Sequence, residues 1–426
     1  MPPPSRSRKR RRGGRATEAA AAEAEADSLI SLPTDVLDEI LTRLGIRDAV
    51  RTSALSRAWR RRWQALPSLD LDFRRRLEDG KGAPKGLGAV DGILLRCPGR
   101  VRLFHACLDE HYAGRVHDWL CVLSRRGVES LDLSFRGFPA LPSSIFSCSR
   151  LTSLSLFCCT IPLLPPGFVA FPELRKLILV NVRLQDYGEY QLEEIIDTSP
   201  LLDYLVLTDV YFGGDYIRKW VIQAPNLRHL SICSEIYYGW ILEGLTSLRS
   251  AVIDLWDFVA DRKFAKLLSG VVQVRKLLVV THNAPEGVQI PEILMSTFHN
   301  LKSLKLYMHF CEQPPIMLIF CLLKSAPNLE KLKIQIFGGK EQKFEANGEF
   351  QNALWTDGMC ANLLVVQMIG IYWHPNEMSF MELILSKARL LHTLSVSHDA
   401  VNELLGYRRT SAKAQVVFKG KAEAYY

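Results

Sequence analysis

The sequence predicts an α/β solenoid, a curved parallel sheet with helices on its outer side, preceded by a small module of three short helices. Three observations predict it. A six-residue phrase, L-x-x-L-x-L, returns ten times between Val128 and Val396. Proline follows several of the intervening stretches and turns the chain toward the next copy. Near the front, an apolar stripe between Pro33 and Gly45 marks an amphipathic helix of about three turns.

The 426 residues suffice for two or three folded units or for one extended array. The net charge of +8 sits at the front, where Arg6, Arg8, Lys9, Arg10, Arg11, Arg12 and Arg15 supply seven positive charges without an acid. The remainder is close to neutral, so a body built to bind nucleic acid is not indicated. Residues 1–27 join that arginine block to an Ala/Glu stretch and are too polar to offset chain entropy, which predicts disorder. Arg8, Lys9, Arg10, Arg11 and Arg12 fit the pattern of a nuclear-import signal, and equally that of a solvated polybasic tail with weak RNA affinity.

In the helical module, Val36, Leu37, Ile40, Leu41 and Leu44 fall at i, i+1, i+4, i+5 and i+8. Asp48 opens a second helical turn carrying Ala49 and Val50. A third helical segment is predicted from about Ser56 through Trp59 and Trp63 to Leu66. Three helices in about 45 residues bury too little surface to be stable alone, so a partner is expected to complete the core.

The run L-P-T-D-V-L-D-E-I-L-T-R-L, with D-A-V-R-T-S, the two tryptophans and the L-D-L exit, resembles the F-box of plant F-box/leucine-rich-repeat proteins over residues 28–72. The resemblance implies that Leu32, Pro33, Val36, Leu37, Ile40, Leu41, Val50, Leu55 and Trp59 face a Skp-type adaptor, and through it a cullin, or hold the motif's small core. Gly45 and Ala58 depart from the family pattern without touching the apolar stripe.

Residues 73–100 read as a linker and the first turn of the array, with charge, Gly and Pro concentrated in 74–88. Over 101–345 the copies of the phrase begin at Val128, Leu151, Leu174, Leu202, Leu227, Leu248, Val274, Leu301 and Leu329, and a tenth begins at Leu391. Spacings mostly of about 21 to 28 residues are the signature of leucine-rich repeats, in which no unit buries its own apolar face. Pro200, Pro225 and Pro327 each follow what reads as a helical run. The asparagines of regular repeats are mostly missing, which predicts an uneven solenoid.

Strand alternation gives two concave columns. One runs through Ser155, Ile178, Val206, Ser231, Val252, Leu278, Lys305 and Lys333. The other runs through Phe157, Val180, Thr208, Cys233, Asp254, Val280, Tyr307 and Gln335. Val206, Val252, Asp254, Leu278, Lys305, Tyr307, Lys331 and Lys333 are the candidate contacts to an unknown protein substrate, apolar in part and acidic opposite the lysines. The competing reading is an apolar face covered by loops, with solvated lysines.

Residues 350–420 keep two strand-like runs around a helical stretch, Glu377 to Ala388, with a last strand at Val416–Phe418. They are similar to the FBD region of plant F-box/repeat proteins, and a solenoid end needs such a cap. No catalytic residue, cofactor or metal site is predicted. Gly338-Gly339-Lys340 lacks the first glycine of a P-loop, and the ten cysteines include no C-x-x-C pair. The longest apolar run, Ile316–Leu323, is far shorter than the roughly 20 residues of a membrane helix. The resemblance thus implies a non-catalytic substrate-recognition subunit of a Skp-cullin-F-box ubiquitin ligase, in nucleus or cytoplasm. The alternative is a nuclear, nucleic-acid-associated scaffold acting through the arginine tail.

Overall fold

The computed structural model describes residues 33–44, 46–54, 62–65, 68–72, 90–96, 99–213, 220–236, 239–255, 262–281, 296–337, 341–397 and 402–418. Among them, alternating sequence becomes strands β1 (Ser68–Asp72), β2 (Arg100–Leu108), β3 (Ser130–Phe135), β4 (Ser153–Ile161), β5 (Lys176–Asp186) and β6 (Tyr204–Gly213). The series continues with β7 (Trp220–Gln223), β8 (His229–Ser234), β9 (Trp240–Glu243), β10 (Ser250–Leu255), β11 (Lys276–Thr281) and β12 (Ser303–Met308). It ends with β13 (Lys331–Ile336), β14 (Val365–Ile369), β15 (Thr393–Ser397) and β16 (Gln415–Phe418).

Fourteen of these strands form one parallel sheet in chain order, while β7 and β9 pair separately. In the large sheet one buried position is repeated on every rung. It runs from Leu71 through Phe104, Leu131, Leu154, Leu177, Leu205 and Leu230, and onward to Leu394, ending at the half-buried Val416. Each fully buried leucine is worth about 1.5–3 kcal/mol relative to exposure, and only the neighbouring rung supplies that burial.

Backbone polarity is satisfied rung to rung. The carbonyl of Thr152 accepts from Arg175 N and Lys176 N at 2.8 and 3.0 Å, and that of Arg175 accepts from Asp203 N and Tyr204 N at 2.9 and 3.0 Å. The same double acceptance recurs at Arg228, Arg249, Arg275, Lys302, Glu330 and Leu364. A side-chain ladder that the sequence reading missed runs through the turns. Asn226 Nδ2 donates to Pro200 O at 2.8 Å, Asn328 Nδ2 to His299 O at 2.9 Å and Asn362 Nδ2 to Pro327 O at 3.1 Å.

The outer side is uneven. Helices α1 (Thr34–Arg43) and α2 (Ile46–Arg51) precede the sheet, and α3 (Val90–Arg96), α4 (Glu110–Ala113) and α5 (Val116–Arg125) flank its first rungs. Val116, Trp119, Leu120 and Leu123, the face expected of an amphipathic helix, are all buried in α5. Further on come α6 (Gly188–Asp197), α7 (Arg262–Ser269), α8 (Gln313–Ser325), α9 (Gly348–Leu354), α10 (Pro375–Lys387) and α11 (Asn402–Gly406). Pro200 and Pro327 follow α6 and α8 as expected, but Pro225 follows β7. The repeats around it return through the short strands β7 and β9, paired Trp220 to Trp240, in place of a helix.

The front module differs from the expectation in two ways. Of the third helical segment the structure describes only a 3-10 turn, Arg62–Ala65, with Trp63 buried; Ser56 and Trp59 lie outside the described residues. The L-D-L exit is itself β1, paired in parallel with β2, so the module runs into the first rung. Leu37, Leu41, Ala49, Trp63 and Leu71 belong to the same hydrophobic cluster as Val101 and Phe104. Part of the core expected to await a partner is therefore completed by the array.

At the other end, α8 is apolar on nearly every side and correspondingly buried. Phe320 and Phe310 meet Phe380 of α10 with ring centroids at 5.9 and 5.4 Å. Asn376, fully buried, ties the chain between β13 and β14 to this region. Its Nδ2 donates to Phe310 O and Phe344 O at 2.7 Å each, and its Oδ1 accepts from Ala346 N at 2.7 Å. Glu377 Oε2 accepts from Tyr372 N and His374 N at 3.0 and 3.1 Å, and burial raises its carboxyl above the usual range despite these donors.

All nine described cysteines are free thiols, and burial pushes those of Cys148, Cys159 and Cys360 up to about 12. These three are therefore expected to resist alkylation by iodoacetamide at pH 8 in the native protein and to react on denaturation, read by mass spectrometry; equal native and denatured labelling refutes it. Asn376→Leu strands two carbonyls and one N–H in the core, at about 1–3 kcal/mol each. The expected result is a Tm well below wild type, and an unchanged Tm contradicts the network.

Candidate functional site

Two surfaces are candidates. The first is α1, whose apolar stripe divides into two rows. Leu37 and Leu41 are fully buried, whereas Val36, Ile40 and Leu44 are 43, 38 and 38% exposed. Residues four apart share a helix face, so the outward row is continuous along the helix and at its exit. Pro33 opens the helix, its carbonyl accepting from Val36 N and Leu37 N at 3.1 and 3.2 Å. Exposed Glu39 and Arg43 pair at 2.9 Å. Val50 is half-buried against the core. Leu32, Leu55 and Trp59, and the basic block Arg8, Lys9, Arg10, Arg11 and Arg12, lie outside the described residues.

The second is the concave sheet. Register places Val206 beside Ser231, then Val252, Leu278, Lys305 and Lys333 on successive rungs. The next column takes Thr208, Cys233, Asp254, Val280, Tyr307 and Gln335 in the same order. Every one of these side chains is half-buried, so the face is open and still partly apolar. Lys305 Nζ lies 4.5 Å from the centre of the Tyr307 ring. Lys331 occupies a third column and is exposed beside Ser303.

An acidic group of which the sequence reading had only Asp254 stands toward the C-terminal side of the middle strands. Burial, then Glu235 and Asp254, raise the Asp209 carboxyl above the usual range, and burial with Asp254 pushes the Cys233 thiol up to about 12. Asp209 also has a left-handed backbone, φ 48°. The signal was weak because Asp209 and Glu235 follow the repeated phrase and share no spacing with it.

His105, an isolated candidate for chemistry, is buried with Nε2 at 2.9 Å from Ser130 Oγ. Among the described residues no group of three or more His, Cys, Asp or Glu side chains could hold a metal ion. Among the described residues no helix is long and apolar enough to cross a membrane.

Comparison with known proteins places these surfaces. Residues 29–70 match the F-box domain, and residues 116–334 match the leucine-rich repeats of FBD-associated F-box protein At5g56370. The F-box/FBD/LRR-repeat protein At1g13570 of Arabidopsis thaliana is 29% identical, over 92% of this chain and 98% of its own length. F-box/LRR-repeat protein 13 of the same plant is 32% identical, over 93% of this chain and 97% of its own. An internalin from Listeria monocytogenes covers 70% of this chain and 81% of its own with 14% identity and a TM-score of 0.33. The outward row of α1 lies in the segment matched as F-box and the concave columns, up to Lys333, in the segment matched as repeats, and the chain belongs to the FBD-associated F-box/leucine-rich-repeat family.

Proposed function

We propose that this chain is the substrate-recognition subunit of a Skp-cullin-F-box ubiquitin ligase. The row Val36, Ile40 and Leu44 seats in a groove of the Skp-type adaptor, and the concave sheet holds the protein target. One observation carries the reading: a helix of the F-box segment keeps a second apolar row in water after its first row has been buried by the chain itself. Removing apolar surface from water is worth about 25 cal/mol per Å², and a partner groove supplies that gain.

The chain contributes position rather than reaction chemistry. Holding a target near a ubiquitin carrier raises its effective concentration, and this requires that adaptor and target be held in fixed relation. Support for a fixed relation comes from β1, which joins the F-box exit to β2 by a hydrogen-bonded register. The basic block Arg8 to Arg12 is assigned, in the same proposal, to nuclear import.

Co-purification of the full chain with a Skp-type adaptor tests the reading. Val36→Asp with Ile40→Asp is expected to abolish the complex while leaving Tm within a few degrees of wild type; a retained complex rejects the proposal. Leu37→Ala or Leu41→Ala acts differently, because each opens a cavity costing about 2–5 kcal/mol and lowers Tm. Deleting residues 1–15 is expected to move a fluorescent fusion from nucleus to cytoplasm, and an unchanged distribution removes the import assignment.

A further inference from the structure

The position just before each strand, whose carbonyl carries the rung-to-rung hydrogen bonds, forms a rim along the N-terminal edge of the concave sheet. On successive rungs it is occupied by Thr152, Arg175, Asp203, Arg228, Arg249, Arg275, Lys302 and Glu330. Four cations thus follow one another without an acid between them. Rungs are spaced about 4.8 Å apart, so Arg228 to Lys302 spans about 15 Å.

On either side of the three arginines, the fourth cation Lys302 included, this edge neutralises itself. Arg102 pairs with Asp70 at 2.6 Å, Arg100 with Glu129, and Lys302 with Glu330 at 2.8 Å. Arg228, Arg249 and Arg275 are exposed, and none forms an ion pair with a carboxylate among the described residues. Lys276 and Lys331, both exposed, add charge one column inward. Like charges stacked on adjacent strands repel, so this stretch is a standing electrostatic cost that an anion relieves.

We propose that this rim is the docking ridge for an extended acidic polypeptide segment, whose carboxylates meet Arg228, Arg249 and Arg275 while its other side covers Val252 and Leu278. The inference rests on the reading that the concave sheet receives the target, and it names the chemistry of that target. Length supports a peptide: Asp203 and Glu330 bound the cationic run, and about 15 Å is four or five extended residues. The apolar column beside it supports a polypeptide over a nucleic acid, since a phosphate backbone leaves Val252 and Leu278 in water. Arginine suits the task because its planar fork holds a carboxylate through two hydrogen bonds.

The test uses the full chain without adaptor, so that its outcome is independent of ligase assembly. Fluorescence anisotropy is measured with a labelled octapeptide alternating Glu and Val, its Lys/Val counterpart and a single-stranded DNA 12-mer. The Glu peptide is expected to bind, to weaken with added salt, and to lose at least tenfold in affinity with Arg228→Ala, Arg249→Ala and Arg275→Ala combined. The control combination Arg125→Ala, Arg389→Ala and Arg408→Ala is expected to change nothing. Because the three rim side chains are exposed, the single variant Arg249→Gln, expected to lose affinity measurably at wild-type Tm, keeps the test open should the triple variant fold poorly. Absence of Glu-peptide binding, equal binding by the rim variants, or tighter rim-dependent binding of the DNA overturns the proposal.

Discussion

The constraint on which the structure depends is that no rung can bury its own leucines. Each strand presents one apolar face, and only the next strand and the return segment behind it remove that face from water. The column from Leu71 to Val416 is the visible form of this constraint. It also sets a problem at the two ends, where the stack stops. At the front the helical module solves it with Trp63, Leu37 and Leu41, which join the cluster around Phe104. At the back, β16 and the half-buried Tyr407 and Phe418 close the last rung. The F-box is thus a cap, and under the proposed function its exposed second row is left for docking.

That division explains what the sequence could and could not reveal about the module. Five apolar positions at i, i+1, i+4, i+5 and i+8 make a stripe wide enough for two rows. Periodicity alone does not say which row faces the chain and which faces a partner. The repeats were more legible. All ten copies of the phrase begin just before a strand, and the last strand expected at Val416–Phe418 is β16. The concave columns emerge in register because a leucine fixed inward forces its neighbours outward. The first two rungs escaped notice because β1 lies inside the helical motif and β2 carries Val101, Phe104 and Ala106 in place of leucines. Strands β7 and β9 are four residues each, too short to show a period. Asn376 precedes the helical stretch read from the sequence, Glu377 to Ala388, and nothing local announces the distant carbonyls it serves.

The rim belongs to an intermediate class. Its arginines were present in the repeated phrases Leu227-Arg-His-Leu, Leu248-Arg-Ser-Ala and Val274-Arg-Lys-Leu, at an unremarked position. Leucine periodicity draws attention to buried sites and treats the residues between them as variable. Once register is known, the variable sites acquire neighbours, and a scatter of arginines 21 to 26 residues apart in sequence becomes a row on adjacent rungs.

Taken with the acidic group, the rim gives the concave sheet a polarity across its strands. Arg228, Arg249 and Arg275 stand at the N-terminal edge of β8, β10 and β11, and Asp209, Glu235 and Asp254 stand toward the C-terminal ends of β6, β8 and β10. Between them lie Val206, Val252 and Leu278. Burial and mutual repulsion already raise the Asp209 carboxyl, so further negative charge is disfavoured at that edge. A segment crossing the apolar strip is therefore drawn with its acidic side to the rim and kept from the opposite placement. Charges arranged in this way contribute orientation and partner choice as well as affinity, to which the apolar strip adds. For a protein whose proposed work is to hold a target near a ubiquitin carrier, orientation is the property that decides which side of the target is presented.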